Sequence, residues 1–333
     1  MTAAIITGSC GLVGSEAVRY FAGKFDVVFG IDNNEREQLF GNDASVSSMA
    51  DLLKKEVSNY VHIVEDITQT IQYRNVPLGH DVKLIIHCAA QPSHDWAASN
   101  PLRDFEINAL GTLNVLEATR KYFPEAVFIH CSTNKVYGDR PNYEPHIPFN
   151  ESLSIDQTTH SLFGASKLAA DIYVQEYGRY FGMKTGIFRC GCITGPNHAG
   201  AEQHGFLSYL VKCVMTDKPY IVYGYEGKQV RDNIHSYDLI TAFDEFYKNP
   251  KPGEVYNIGG GLYSNCSMLE AINIVQELSG KKLQYGYSNN VRKGDHYWYV
   301  SDVTKFCNDY PDWSYKYTLR ETIKQIIDGY NQS

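Results

Sequence analysis

"AAIITGSCGLVGSEAV", residues 3–18, joins an apolar, strand-like run to a helical one through Gly8, Gly11 and Gly14. Each glycine has its own task in such a junction. The first permits a tight turn, the second lets backbone amides approach a pyrophosphate, and the third lets the helix pack close to the sheet with its N-terminal dipole toward the phosphates. Leu12 and Val13 open that helix and are assigned to the same phosphate site. A glycine pattern alone is weak evidence, so the reading also needs the apolar runs beyond it. The next of these, "DVVFGID" (26–32), ends in Asp32, with Asn33 behind it. A carboxylate there accepts hydrogen bonds from both ribose hydroxyls and repels a 2′-phosphate, which favours NAD over NADP.

The same alternation continues along the chain. Strand-like runs occupy 60–66, 83–90, 126–133 and 184–190, with helical stretches at 105–123 and 163–181 between the later ones. Six strands with helical crossovers predict an α/β fold, a doubly wound parallel sheet of the Rossmann type. Asp66 and Ile67 close the third run, and Asp66 is placed to meet the adenine edge. Ala89, Ala90 and Gln91 close the fourth beside the cofactor. After residue 190 the pattern loosens into a Gly-, His- and Pro-rich stretch, a helix at "FLSYLVKCVM", a short strand at "YIVYG" and a last amphipathic helix near "LRETIKQIIDGY". This predicts a cofactor domain over 1–190 and, over 191–333, a smaller α/β substrate lobe able to cover the carboxyl edge of the sheet. About 230–258 is expected to return to the first domain.

Composition narrows the function. The 333 residues contain 30 Lys and Arg against 38 Asp and Glu, so the chain lacks the basic excess that nucleic-acid binding demands. No run approaches the ~18 apolar residues of a membrane span, and no basic segment precedes an apolar one at the start, so a cytoplasmic protein with no membrane partner is expected. The eight cysteines are scattered, several within strand-like runs, as reduced thiols are. Cys190 and Cys192 have no second Cys/His pair nearby, so no metal is expected.

The spacing Gly-x-x-Gly-x-x-Gly is similar to that of the extended short-chain dehydrogenase/reductase family, the nucleotide-sugar epimerases and dehydratases. "HCAAQPS" (87–93), "NALGTLNVLEA" (108–118), "CSTNKVYGD" (131–139), "RDNIHSYDL" (231–239), "NIGGG" (257–261) and "RKGDHYWYVSD" (292–302) fall in that family's order. The resemblance implies tightly held NAD, with Asn108 and Lys167 among its contacts, a nucleotide-sugar substrate and a homodimer paired through the helices containing "GTLNVLEA" and "KLAADIYVQEY". It also implies a catalytic Ser or Thr, Tyr and Lys. These positions fall on Thr133, Phe163 and Lys167.

Phe163 is the departure. In the family, Lys and the positive nicotinamide lower the tyrosine's pKa so that a phenolate can take the sugar hydroxyl's proton; phenylalanine has no proton to exchange, and losing a general base costs about 10²- to 10⁴-fold in rate. Three readings stand: a deliberate Tyr→Phe change, a natural enzyme with another base, and a non-catalytic relative that binds NAD or nucleotide sugars. The intact surroundings, Thr133, Gly164, Ser166 and Lys167, favour the first, an inactive variant. His160 and Tyr137 are the nearby titratable candidates for a substitute base, each with a plain alternative as a wall residue.

"STNKVYGD", the small Cys192 in "RCGCITG", and "HGFLSYL" with "GKQVRD" resemble the CDP-paratose 2-epimerases, which implies epimerisation at carbon 2 of a CDP-sugar; a nucleotide-sugar 4-epimerase is the alternative. Asn134 stands where a 4,6-dehydratase would have an acidic residue beside the catalytic Thr. Substrate contacts are expected from Thr133, Asn134, Cys192, His204, Gly205 and Phe206. Arg231 and Arg292 are expected on the diphosphate, where a guanidinium fork clasps oxygens bidentately, with Asp295 orienting Arg292 or binding a ribose.

Overall fold

The computed structural model describes residues 1–69, 79–196, 205–291 and 294–332, with the side chains of Asp43 and Gln332 excepted. In chain order its strands and helices are β1 (Thr2–Thr7), α1 (Leu12–Ala22), β2 (Val27–Ile31), α2 (Glu35–Phe40), α3 (Ser47–Glu56), β3 (Tyr60–Ile63), β4 (Asp81–His87), α4 (His94–Ser99), α5 (Pro101–Phe105), α6 (Gly111–Tyr122) and β5 (Val127–Thr133). Next come α7 (Leu162–Phe181), β6 (Thr185–Cys190), β7 (Cys192–Thr194), α8 (Phe206–Met215), β8 (Tyr220–Tyr223), β9 (Val230–His235), α9 (Ser236–Lys248), β10 (Glu254–Ile258) and β11 (Asn265–Ser267). The chain closes with α10 (Met268–Ser279), β12 (Tyr285–Ser288), β13 (Trp298–Tyr299), α11 (Thr304–Asp309) and α12 (Leu319–Gln332).

Two compact units emerge. The first takes Met1–Val136, Leu162–Arg189 and Ile240–Tyr256; the second takes Tyr137–Ser161, Cys190–Leu239 and Asn257–Ser333. The first holds a seven-stranded sheet in the order β3-β2-β1-β4-β5-β6-β10, and the pairs β3/β2, β2/β1, β1/β4 and β4/β5 run parallel. β1 leads outward to β2 on one side while β4 lies on the other. That reversal makes the carboxyl ends of β1 and β4 the switch point at which open α/β sheets bind ligands.

Its core arises from alternation. Ala3 and Ile5 of β1, Val27, Phe29 and Ile31 of β2, Ile85 of β4 and Phe128 of β5 share one apolar cluster with Val115 and Leu116 of α6 and Val174 and Tyr177 of α7. Their neighbours Ala4, Ile6, Val28 and Ile86 are equally buried. With both faces covered, the strands read as continuous apolar runs.

The sheet has one strand more than the six read from the sequence. β10 pairs with β6 at the edge, and the return of Ile240–Tyr256 is driven by aromatic packing: the Phe188 ring lies 4.8 Å from Phe243, 5.7 Å from Phe246 and 5.8 Å from Tyr256. The boundary expected at residue 190 is also interrupted, because Tyr137–Ser161 lies in the second unit. The physical reason is backbone satisfaction. Phe149 donates its N–H to Val300 O at 2.9 Å, accepts from Asp302 N at 2.8 Å and from the Asn257 side chain at 2.9 Å, so the loop's polar groups are paired there.

The second unit is α/β in character. β9 is flanked by β11 (antiparallel) and β13 (parallel), β7 pairs with β9, and β8 with β12 forms a separate parallel ribbon. Its apolar core is α8, α10 and α12 packed together through Leu207, Leu210, Val211 and Val214, Ala271, Ile272 and Val275, and Ile323, Ile326 and Ile327. Among the described residues no helix is long and apolar enough to cross a membrane, and no cluster of three His, Cys, Asp or Glu side chains could hold a metal. All eight cysteines are free thiols.

Candidate functional site

The glycine turn is dictated by sterics. Gly8 sits at φ +68°, where an added Cβ would also fall 2.7 Å from Ala89 N, and a Cβ on Gly14 would fall 2.0 Å from Gly8 O. Gly11 is different: a Cβ there would meet nothing nearer than Gly8 O at 3.4 Å, so its bareness serves approach from outside, not internal packing. Gly11 is also the N-cap of α1 and has no capping side chain, which leaves the N–H groups of the first turn, those of Leu12 and Val13 included, without a side-chain acceptor. A diphosphate fits this cradle.

Asp32, one residue beyond β2, is held from both sides. Oδ2 accepts from Cys10 N at 3.0 Å and Oδ1 from Asn34 N at 2.8 Å, which fixes the carboxylate beside the turn. Asn33 turns back on its own loop, its Oδ1 accepting from Glu35 N at 3.0 Å. β3 ends at Ile63, so Asp66 lies three residues past the strand end at which the sequence placed it. There it meets a group the sequence reading missed. Arg103 reaches Asp66 at 3.1 Å, Glu35 at 2.6 Å and Glu106 at 3.2 Å, so a guanidinium ties the start of α2 and the loop after β3 to α5. Burial works against ionisation of Asp66, but Thr68 and Arg103 outweigh it and hold the carboxyl below its ordinary range. Ile67 is buried, and Gly111 is bare because a Cβ would lie 2.8 Å from the Ile67 Cδ1.

Past β4, Ala89 donates its N–H to Thr7 Oγ1 at 3.3 Å, and Ala90 is exposed. Gln91 is buried and clamped by Asn108, whose Oδ1 accepts from Gln91 N at 2.9 Å while its Nδ2 donates to Gln91 O at 3.0 Å, Asp104 Oδ1 at 3.0 Å and Ser166 Oγ at 3.1 Å. Asn108 can do this because Glu106–Leu110 forms a π-helical turn between α5 and α6, inside the stretch read from sequence as one helix. The extra residue per turn aims the amide at the β4 loop and α7 together.

Thr133 ends β5 with its hydroxyl accepting from Lys135 N at 3.2 Å, and Asn134 begins the adjoining 3₁₀ turn, buried. Phe163 (7% exposed) and Lys167 (4%) stand one turn apart on α7. Lys167 Nζ donates to Cys131 O at 2.9 Å and lies 3.5 Å from His130 Nε2. Burial first, then the charge of Lys167 and the neighbouring His87, hold His130 well below its usual pKa. Burial and then Lys167 bring His87, stacked on it at 5.4 Å, down to about 3. The ammonium therefore lies beside one neutral imidazole, His130, with a second, His87, stacked on that ring.

α7 is anchored at Asp171, one turn beyond Lys167. Asp171 accepts from Arg189 Nε at 3.1 Å and Nη2 at 2.9 Å, from Ser132 Oγ at 2.6 Å and from Gln175 Nε2 at 2.6 Å, with both ion-pair partners buried. One carboxylate thus ties Lys167's helix to β6 and to the residue before Thr133. The spacing Lys167, Asp171, Gln175 was the available sequence signal.

In the second unit, Cys192 begins β7 opposite Asn233, and Gly205, at φ +87°, caps α8, which starts at Phe206. Asp295 pairs with Arg231, whose Nη2 donates to Asp295 Oδ1 at 2.6 Å, and that oxygen also accepts from His296 N at 3.0 Å. His204 and Arg292 lie outside the described residues. Tyr137 is fully buried, its hydroxyl donating to Asn257 Oδ1 at 2.8 Å, which commits it to structure; His160 is half-buried in the second unit.

Comparison with known proteins agrees with this geometry. The pattern of the "NAD dependent epimerase/dehydratase family" matches residues 4–259. The CDP-paratose 2-epimerase of Salmonella typhi is 29% identical, the alignment covering 97% of this chain and 98% of that protein. A putative UDP-glucose 4-epimerase of Methanocaldococcus jannaschii is 27% identical over 97% of each. Among solved structures, a Tyr-to-Phe mutant of the Bacillus cereus UDP-glucuronic acid 4-epimerase, in complex with NAD and UDP-4-deoxy-4-fluoro-glucuronic acid, shares the fold with a TM-score of 0.84 at 24% identity over 99% of both chains.

The Asp171 site yields one expectation. Asp171→Asn strands Arg189 as a buried charge without its counter-ion and is expected to cost about 3–5 kcal/mol of stability in equilibrium urea unfolding. A paired Asp171→Leu, Arg189→Met variant should regain most of it. A loss below about 1 kcal/mol for the single change contradicts the anchoring role.

Proposed function

The chain belongs to the NAD-dependent epimerase/dehydratase family, and from that premise we propose that it acts on a nucleotide-linked sugar, inverting carbon 2 of a CDP-sugar by transient oxidation and return. The observation that carries the reading is the alignment, on one rigid frame, of the bare Gly11 cradle, the braced Asp32, Thr133 at the end of β5 and the fixed ammonium of Lys167. NAD, when bound, supplies the acceptor and later the donor of the electron pair. The chain's own groups do the rest. The first-turn N–H groups of α1 hold the pyrophosphate, and Asp32 accepts from the adenosine ribose. Asn108 and Gln91 keep the β4 loop in place, and Lys167 supplies a fixed positive charge where proton transfer needs it. Thr133 hydrogen-bonds the reacting hydroxyl, and Arg231, oriented by Asp295, clasps the substrate's diphosphate.

Carbon 2 and the CDP base rest on the similarity to the Salmonella typhi enzyme. The alternative, 4-epimerisation, rests on the 27% relative. Phe163 cannot take a proton, so the chain as it stands is an inactive binder unless another group does.

The test monitors CDP-hexoses by NMR with the chain and with Phe163→Tyr, after identifying the nucleotide released on denaturation. NAD in the released fraction and inversion at carbon 2 by Phe163→Tyr are expected. Inversion confined to carbon 4 replaces the assignment by the alternative, binding with no turnover by either protein leaves a sensor, and absence of NAD even after incubation defeats the reading altogether. In the same assay Arg231→Ala should weaken sugar binding about 100-fold with NAD content unchanged; unaltered sugar affinity would remove Arg231 from the diphosphate site.

We also propose a homodimer through α6 and α7. Leu110, Ile172, Tyr173, Tyr180 and Phe181 are exposed apolar or aromatic side chains on or beside these helices, which supports the pairing that the family resemblance implies. Sedimentation equilibrium should give twice the chain mass, and Tyr173→Glu should shift it to the monomer; a monomeric parent protein rejects the interface.

A further inference from the structure

The structure places a titratable ring against the side chain that lacks one. The His94 imidazole meets the Phe163 ring edge to face, with centroids 5.0 Å apart and planes at 62°. His94 opens α4, and its mounting is rigid. Ser93 caps the helix, its Oγ accepting from Trp96 N at 3.2 Å. Ser93 is held in turn by Gln91, whose side chain accepts from Ser93 N and donates to Ser93 O at 2.9 Å and Asp104 at 2.7 Å. Gln91 is the residue clamped by Asn108, and Asn108 is bonded to Ser166 on α7. His94 and Phe163 are thus locked to each other through one buried polar chain, not merely adjacent.

The charged groups on the helices packed against α4 have partners of their own. On α5, Arg103 is paired with Glu35 and Asp66, and Asp104 with Gln91 and Asn108. On α7, Lys167 holds the Cys131 carbonyl, Asp171 holds Arg189, and Glu176 pairs with Arg179. Asp95 lies on α4 itself and is exposed. None of these is placed like His94, half-buried and in contact with the ring at position 163.

We propose that His94 is the catalytic base and acid of this protein, taking the place of the missing phenol; the inference rests on the epimerase reading above. In the oxidative half, the sugar's C–H bond breaks and its electron pair passes to the nicotinamide. The hydroxyl O–H bond breaks, the C=O bond forms, and the proton moves to an imidazole nitrogen of His94. In the return half the same proton goes back to the oxygen as the carbonyl is reduced on its other face, so nothing is consumed. A neutral imidazole suits this task near pH 7, and Phe163 becomes the apolar wall against which the ring is held.

The experiment compares four proteins: the parent chain, His94→Gln, Phe163→Tyr and the double variant. NAD content is read after denaturation, nucleotide-sugar affinity by calorimetry, and turnover by NMR across pH 5–9. The parent should turn over, with an imidazole limb in its rate profile. His94→Gln should lose about 10²- to 10⁴-fold in kcat with NAD content and sugar affinity preserved, and in the Phe163→Tyr background the same change should cost less than about tenfold, because a phenol then carries the proton. A parent inactive while Phe163→Tyr is active overturns the role of His94 and leaves the epimerase reading standing. So does a His94→Gln protein within a few-fold of the parent, or one whose loss is equal in both backgrounds. If none of the four binds a nucleotide sugar or NAD, it is the epimerase reading that fails.

Discussion

The buried pair of Asp171 and Arg189 is the constraint from which the rest of the first unit takes its geometry. Burying two charges is costly, and the cost is offset only when every lone pair is used. Asp171 meets that condition with four donors, two from Arg189 and one each from Ser132 and Gln175. Because those donors come from β5, β6 and α7, the carboxylate can be satisfied in one arrangement of the three elements. That arrangement puts Lys167 one turn away on the helix and Thr133 one residue away on the strand.

A second polar clamp works on the opposite side of α7. Asn108 joins the π turn, the loop after β4 and Ser166, and through Gln91 it also holds the start of α4. Between the two clamps lies Lys167, set against the neutral His130 and a carbonyl. A counter-charge at that point would neutralise the ammonium. Neutral imidazoles do not offset its charge.

Much of this was legible without coordinates, because it is local. The glycine junction, Asp32 after β2, the apolar strand runs and the Phe163–Lys167 spacing each depend on residues within a few positions of one another. What escaped reading depended on partners far away. Arg103 meets Asp66 and Glu35 across 37 and 68 residues, and nothing near "PLRDF" announces it. Asp295 pairs with Arg231 across 64 residues. The π turn at Asn108 leaves helical periodicity nearly intact, and the run of β10, short and following a helix, shows that its segment returns to the first unit but not that it adds a seventh strand.

By itself, then, the chain's order of residues determined the type of sheet, the turn that receives a dinucleotide and the identity of the side chain at position 163, since period, steric allowance and side-chain chemistry act over short range. Tertiary structure alone decided which histidine stands against Phe163, which carboxylate aims Arg231 and which loop crosses to the second unit. Those outcomes are set by the pairing of buried polar groups across the fold, and a pairing of that kind has no signature until the chain has closed on itself.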